Sequence, residues 1–222
     1  MQQVKRPSLD RRQVLEAAVR LADRDGLAAL SMRRLGAELG VEAMSLYNHV
    51  PNKSALLDGI AELVLGEVLA SAVAAGDWLE TLRAAARAYY RLAWRHPHLY
   101  PLVVTRPLNT PDAWRLLEHG IALARAAGFD AETALYAVRT CACYAAGYAL
   151  TQIARSAEYT TDLAADARLD ITKLSADAFP HLAAVAPYYD PSYRDREFEY
   201  GMDAILRGLQ AKRGEGATQG TA

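Results

Sequence analysis

The sequence predicts an all-α protein of about ten helices. Three observations carry that prediction. Apolar residues recur at helical spacing along almost the whole chain. Runs that alternate apolar and polar, as half-buried strands do, are absent. Ala, Leu, Arg and Glu, all strong helix formers, dominate the composition.

Capping residues mark the starts and glycines the stops. Ser8 or Asp10 opens a first helix that reaches Asp25, and Gly26 ends it. Ser31 caps a second helix, which Gly40 terminates. A short third helix covers 42–49 and stops before Pro51. Asn52 caps a long fourth helix, 52–75, ended by Gly76. Asp77 caps a fifth, to about His96, and a short sixth follows over 97–103. Thr110-Pro111 places proline at a first helical position, opening a seventh helix that Gly128 ends. Asp130 caps an eighth and longest apolar helix, to about Ser156. Residues 157–175 are polar and Asp-rich, and read as a mobile loop. A ninth helix, 175–186, carries Pro180 as a kink, and Pro191-Ser192 opens a tenth, to about Lys212. The Gly/Thr/Gln-rich residues 213–222 read as a disordered tail. The chain divides into a head, 1–55, and a helical body, 56–212. No internal repeat is visible.

With 222 residues, 52% of them apolar, the chain can bury a sizeable core. Net charge is −1, unevenly placed: about +3 through Ala55 and about −4 beyond it. A mildly basic head on an acidic body suits a polyanionic partner for the head. The two cysteines, Cys141 and Cys143, supply no disulfide framework. At i and i+2 on a helix they point about 200° apart, so they cannot share a metal. The polar N-terminal residues have no apolar signal core, and no apolar stretch is long enough to span a bilayer. The expectation is a soluble, cytoplasmic protein without membrane contact.

Three short helices followed by a long one fit a helix-turn-helix head. In RRLGAELGVEAMSLYNHV, Ala37 is small where the second and third helices would cross. Gly40 supplies a left-handed turn and Val41 plugs it. Leu35, Leu39, Leu46 and Val50 would face a small core. That leaves Ala43, Met44, Ser45, Tyr47, Asn48 and His49 on or near the outer side of the third helix. A recognition helix puts its N-terminal part into the major groove. Ala43 and Met44 suit thymine methyls, and Ser45 suits a base edge or a phosphate. Tyr47, His49 and Lys53 are donors for phosphate oxygens. Arg33 could reach a guanine edge or a phosphate. Helix-turn-helix shapes also occur in folds that bind no DNA, so spacing alone leaves both readings open.

Residues 15–57 resemble the DNA-binding domain of the tetracycline-repressor (TetR) family. The matching residues are Ala18, Leu21, Gly26, LSMRRL at 30–35, LGV at 39–41, SLY at 45–47, His49-Val50 and NKSALLD at 52–58. In the body, TRP at 105–107, GFDAETALYA at 128–137 and FEYGMDAILRGLQ at 198–210 are similar to the tetracycline repressor's own branch. The resemblance implies a homodimer that binds a double-stranded operator and is released by a small effector held in the body.

Two stripes support the dimer independently. Phe198, Met202, Ile205 and Leu209 recur at 4-3-4 spacing, a seam that suits a partner helix, with Gly201 and Gly208 on an adjacent strip. Val138, Ala142, Ala145 and Ala149 do the same on the eighth helix. Each stripe by itself also suits packing within one chain.

The resemblance implies an effector pocket, and here the sequence departs from the tetracycline repressor. Its metal-binding histidine, three residues before Thr-Arg-Pro, is replaced by Leu102. A histidine of its fourth helix aligns near Leu69, and an acidic residue of its eighth helix aligns with Thr151. A magnesium–tetracycline chelate would lose those anchors. By position, Tyr89, Leu102, Thr105, Arg106, Leu117, Leu135, Val138 and Thr151 would line the pocket. That set suits a lipophilic or aromatic effector with one or two polar groups. His96, His98 and His119 are not at metal-ligand spacing, and no cofactor or metal is expected. A rival reading is an α-helical enzyme or carrier with a vestigial head. It would need a nucleophile with its base, a phosphate loop or an HExxH motif, none of which stands out. A third reading is an activator or architectural protein without effector.

Overall fold

The computed structural model describes residues 9–73, 77–106, 111–155 and 171–219. The expected loop at 157–175 lies largely outside the described residues. Among these, the elements are helical throughout: α1 (Arg11–Asp25), α2 (Met32–Leu39), α3 (Ala43–Leu46), α4 (Lys53–Val73), α5 (Trp78–Arg95), α6 (Tyr100–Thr105), α7 (Pro111–Ala126), α8 (Ala131–Arg155), α9 (Pro180–Val185) and α10 (Arg194–Gln219).

The capping logic operates as local hydrogen bonds. Asp10 forms a reciprocal capping box with Gln13. Ser31 accepts from the Arg34 amide, Asn52 from Ala55 and Asp77 from Glu80. Asp130 accepts from Thr133 through both its backbone and its hydroxyl. Gly26, Gly40 and Gly128 take positive φ at the three expected stops.

Three expectations change. α9 begins at Pro180 rather than being kinked by it: Phe179 before it lies outside helical geometry, because the proline ring disfavours the α region for the residue preceding it. α10 runs to Gln219, seven residues past the expected end. Ala211, Lys212, Arg213 and Glu215 propagate it through the two glycines there. The close crossing in the head is at Gly36, not Ala37. A Cβ on Gly36 would stand 2.9 Å from the Val41 carbonyl, whereas Ala37 is exposed.

α1, α2 and α3 enclose Leu21, Leu30, Leu35, Leu46 and Val50, all essentially inaccessible. α4 serves both parts of the molecule. Leu56 and Ile60 complete the head core, and Gly59 lets Leu15 of α1 come close. Further along, Val64, Leu65 and Val68 belong to the body core with α5 and α7. Each such buried side chain contributes about 1.5–3 kcal/mol.

The body is a bundle of α4, α5, α7 and α8, with α10 across α5 and α8. Phe198 is its aromatic centre: Tyr90 stacks on it at 4.4 Å, with Tyr144 and Tyr148 beside it. Their hydroxyls are occupied too. Tyr90 donates to Asp195, Tyr144 to the Phe198 carbonyl and Tyr148 to that of Arg194. Arg87 pairs with Glu199 and Arg83 with Asp203, so α10 is held to α5 by charge as well.

The tight turn between α2 and α3 generates a prediction. Gly36→Ala should destabilise the protein by about 1–3 kcal/mol, because its methyl meets backbone rather than a flexible side chain. Gly66→Ala, with open space around it, should be neutral or stabilise by up to about 1 kcal/mol. Thermal melts of the two variants check this.

Candidate DNA-reading head, effector cavity and partner-facing strip

The outer side of the head gathers the expected residues. Met44 is 73% exposed and Tyr47 41%, and Asn48, Arg33 and Lys53 are exposed. Ala43, Ser45 and His49 are half-buried beside them. α3 itself is a single turn. Its outer surface is extended to His49 by amides bonding three residues back, from Tyr47, Asn48 and His49. The Ser45 hydroxyl donates to the Glu42 carbonyl at 2.7 Å, which leaves it an acceptor role toward DNA. Arg24 and Arg34 are neutralised by Glu38 and Asp25. Arg33 and Lys53 have no carboxylate partner among the described residues. Glu42, which nothing in the local spacing singles out, is exposed at the start of α3 and forms no side-chain cap.

A cavity of ≈ 200 Å³ lies inside the body. α4 contributes Leu65 and Val68, and α5 Thr81, Leu82, Ala85, Ala86 and Tyr89. α7 contributes Ala113, Leu116, Leu117, His119 and Gly120, and α8 Val138, Cys141 and Ala142. Gly120 allows α7 onto Val138. Tyr89, Leu117 and Val138 are thus brought together as expected. Burial pushes the Tyr89 phenol up to about 12 and the Cys141 thiol up to about 11. Both stay neutral at ordinary pH.

The other five expected pocket residues are outside this lining. Leu102 packs on the core from α6. The Thr105 hydroxyl bonds the Pro101 carbonyl, and Thr151 is exposed with its hydroxyl on the Tyr148 carbonyl. Leu135 is half-buried on α8, away from the cavity. Arg106 pairs with Asp58 and donates to the Ser54 hydroxyl at 2.7 Å, tying the end of α6 to the first turns of α4. Small residues (Ala85, Ala86, Ala113, Ala142) make much of the wall, and single positions of that kind give no sequence signal.

The expected dimer stripes also change place. Phe198, Met202, Ala145 and Ala149 are buried within their own chain. Ile205 and Leu209 pack half-buried against the core, and Val138 and Ala142 face the cavity. The strips next to them are exposed instead: Thr140, Cys143, Gly147, Thr151 and Ala154 on α8, and Tyr200, Ala204, Gly208 and Ala211 on α10. These are small or flat side chains at helical spacing, suited to close helix contact. Phe179, Leu182, Val185, Tyr188 and Tyr189, around α9, form a further exposed apolar set.

Among the described residues, no helix is long and apolar enough to cross a membrane, and no group of three or more metal-ligating side chains occurs.

Comparison with known proteins follows this division. Residues 14–60 match the family model described as bacterial regulatory proteins, tetR family. Residues 71–213 match tetracyclin repressor-like, C-terminal domain. The chain is 33% identical to the HTH-type transcriptional repressor DrrR1 of Streptomyces coeruleorubidus, over 96% of this chain and 83% of that one. It is 32% identical to the class A tetracycline repressor of Escherichia coli, over 90% of each chain. Among solved structures it is similar to Streptomyces coelicolor ActR in complex with actinorhodin. The TM-score is 0.73 at 29% identity, covering 93% of this chain and 99% of that one.

Proposed function

The chain belongs to the tetracycline-repressor family of bacterial transcriptional regulators, and from that membership we propose a homodimeric repressor released from its operator by a lipophilic or aromatic effector. Residues 1–55 are the DNA-reading head and 56–212 the effector-binding and dimerising body. The observation that carries the reading is the head's outer surface: exposed Met44, Tyr47, Asn48, Arg33 and Lys53 over a fully buried core.

Within that surface the roles divide. Met44 and half-buried Ala43 offer apolar contact to thymine methyls, and Asn48 and the acceptor oxygen of Ser45 suit base edges. Arg33 suits guanine. Glu42 adds an acceptor of the kind that pairs with the cytosine amino group. Tyr47, His49 and Lys53 donate to phosphates. A dimer supplies two such heads to a palindromic site. Its interface is the exposed strips of α8 and α10, and the apolar residues around α9 are the further area that a second copy would cover.

The cavity supports an apolar effector. Its wall is almost wholly aliphatic and aromatic, with His119, Tyr89 and Thr81 as polar handles. At ≈ 200 Å³ it is smaller than the roughly 300–1,000 Å³ of ordinary ligand sites. An effector of the size of a fused-ring aromatic must therefore displace a wall, and α4 is the wall that also carries the head. The resulting shift in population between two head positions releases DNA.

Lys53→Ala should weaken binding to every duplex and lower the slope of log affinity against log salt by about 1. Met44→Ala and Arg33→Ala should change base preference more than overall affinity. Fluorescence anisotropy over a salt series, on a selected site and its single-base variants, measures both. A Lys53→Ala protein with unchanged affinity and slope would remove the phosphate assignment.

Gly147→Arg, placing a charged side chain on the exposed strip of α8, should convert dimer to monomer in analytical ultracentrifugation. Operator affinity should fall with it by at least about tenfold, while helical content is kept.

Isothermal titration with tetracycline and magnesium should give no tight binding. No imidazole stands at 69 or 102 and no carboxylate at 151 to anchor the chelate.

A further inference from the structure

His96, at the junction of α5 and α6, plays no part in the head surface, the cavity or the strips. Yet it is 93% buried, its relative exposure being 7%. Its Nδ1 lies 2.8 Å from Oδ2 of Asp23, on α1 of the head. Its Nε2 lies 3.5 Å from Oε1 of Glu67, on α4. The other Glu67 oxygen is taken by Arg95 of α5. Nε2 and the second oxygen of Asp23 are both buried and find no hydrogen-bond partner, and the same holds for the Tyr100 hydroxyl on α6. One imidazole therefore stands between carboxylates from the head and from the long helix that links head to body.

We propose that His96 is the latch between head and effector cavity: doubly protonated, it binds Asp23 and Glu67 together and holds the head in its DNA-reading position. The inference rests on the repressor reading above.

The chemistry of the ring requires two states. A neutral imidazole has one N–H. Used on Asp23, it leaves a lone pair on Nε2 facing the Glu67 carboxylate, and the α4 side of the latch is repelled. The imidazolium has two N–H groups, one hydrogen-bonded to Asp23 and the other at ion-pair distance from Glu67. Burial alone would push this imidazole down. The hydrogen bond to Asp23, its charge and Glu67 together outweigh burial, and the pKa is raised above its ordinary value. A group raised on folding contributes fully below its unfolded value, and its contribution is lost as pH rises through the folded one. The latch is thus closed at mildly acidic pH and loosens as the solution becomes alkaline.

Its position gives it leverage. Leu65 and Val68 line the cavity, and Glu67 lies between them on the same turn of α4. An effector that pushes α4 off α5 moves Glu67 away from His96 in the same displacement. Opening the latch and filling the cavity are then one event. Strengthening the latch opposes release.

The test uses full-length protein, with a duplex recovered by selection from random DNA, at pH 6.0 and 8.5 and fixed ionic strength. Wild-type affinity should fall by about three- to tenfold more than that of His96→Gln across this range. The comparison isolates His96 from every group that both proteins keep. Thermal melts without DNA should show the wild type losing about 2–4 °C more than His96→Gln over the same interval. Glu67→Gln, which keeps the side chain's size, should lose part of both effects, and serves if His96→Gln does not fold. A His96→Gln protein that tracks the wild type in both measurements would overturn the proposal. So would an affinity that rises with pH through His96. If neither protein binds DNA at any pH, the repressor reading fails; divergent melts would then still support His96 as a pH-dependent tie between head and body, and coincident melts would overturn that as well.

Discussion

The packing of α4 against two different partners is the constraint on which the rest of the molecule depends. Its first turns complete the head core through Leu56 and Ile60, and its later turns complete the body through Val64, Leu65 and Val68. A helix with a single apolar stripe could serve one of these cores. α4 is apolar around most of its circumference, and its acidic residues, Asp58, Glu62 and Glu67, are placed against Arg106, Arg11 and Arg95. Both cores draw on it, so a movement of α4 at the cavity is felt in the head.

Against α4 the remaining helices divide by how firmly they are held. α5, α8 and α10 are joined by the rings stacked around Phe198, by tyrosine hydroxyls bonded to the α10 backbone or side chains, and by paired charges. Aromatic pairs of this kind contribute about 0.5–1.5 kcal/mol each beyond burial. α4 is held to that block by aliphatic contacts and by the Glu67 pairings, and to the end of α6 by Arg106. Aliphatic contacts are non-directional and survive a small slide, so α4 is the wall of the cavity best able to move.

What could be read from the sequence was what short-range chemistry determines. Asp10, Ser31, Asn52, Asp77 and Asp130 cap helices through bonds three residues long, and their partners are in the same few letters. The head was legible for the same reason, since its turn, core and outer surface fit within about 45 residues. The choice of strip on α8 and α10 was not. Helical spacing identifies an apolar stripe, but not whether its own chain or a second copy covers it. Phe198 and Met202 were read as partner-facing and are internal, and the small residues beside them are exposed. The cavity failed similarly: position put Arg106 and Thr151 in its lining, but Arg106 follows the end of α6 and pairs with Asp58, and the Thr151 hydroxyl bonds the Tyr148 carbonyl on its own helix. His96 looked like a stray histidine, because Asp23 and Glu67 lie 73 and 29 residues away in sequence.

Every role given to the outer surface of α3 depends on the head reading DNA. The most direct measurement is a gel shift of the purified protein on the DNA upstream of its own coding sequence, with excess unrelated DNA as competitor. A specific complex of dimer size is expected there, or the same complex on a palindrome recovered from random DNA. Failure to shift either at low salt would contradict it, and would return the chain to the class of helical enzymes or carriers that keep the shape of the head without its use.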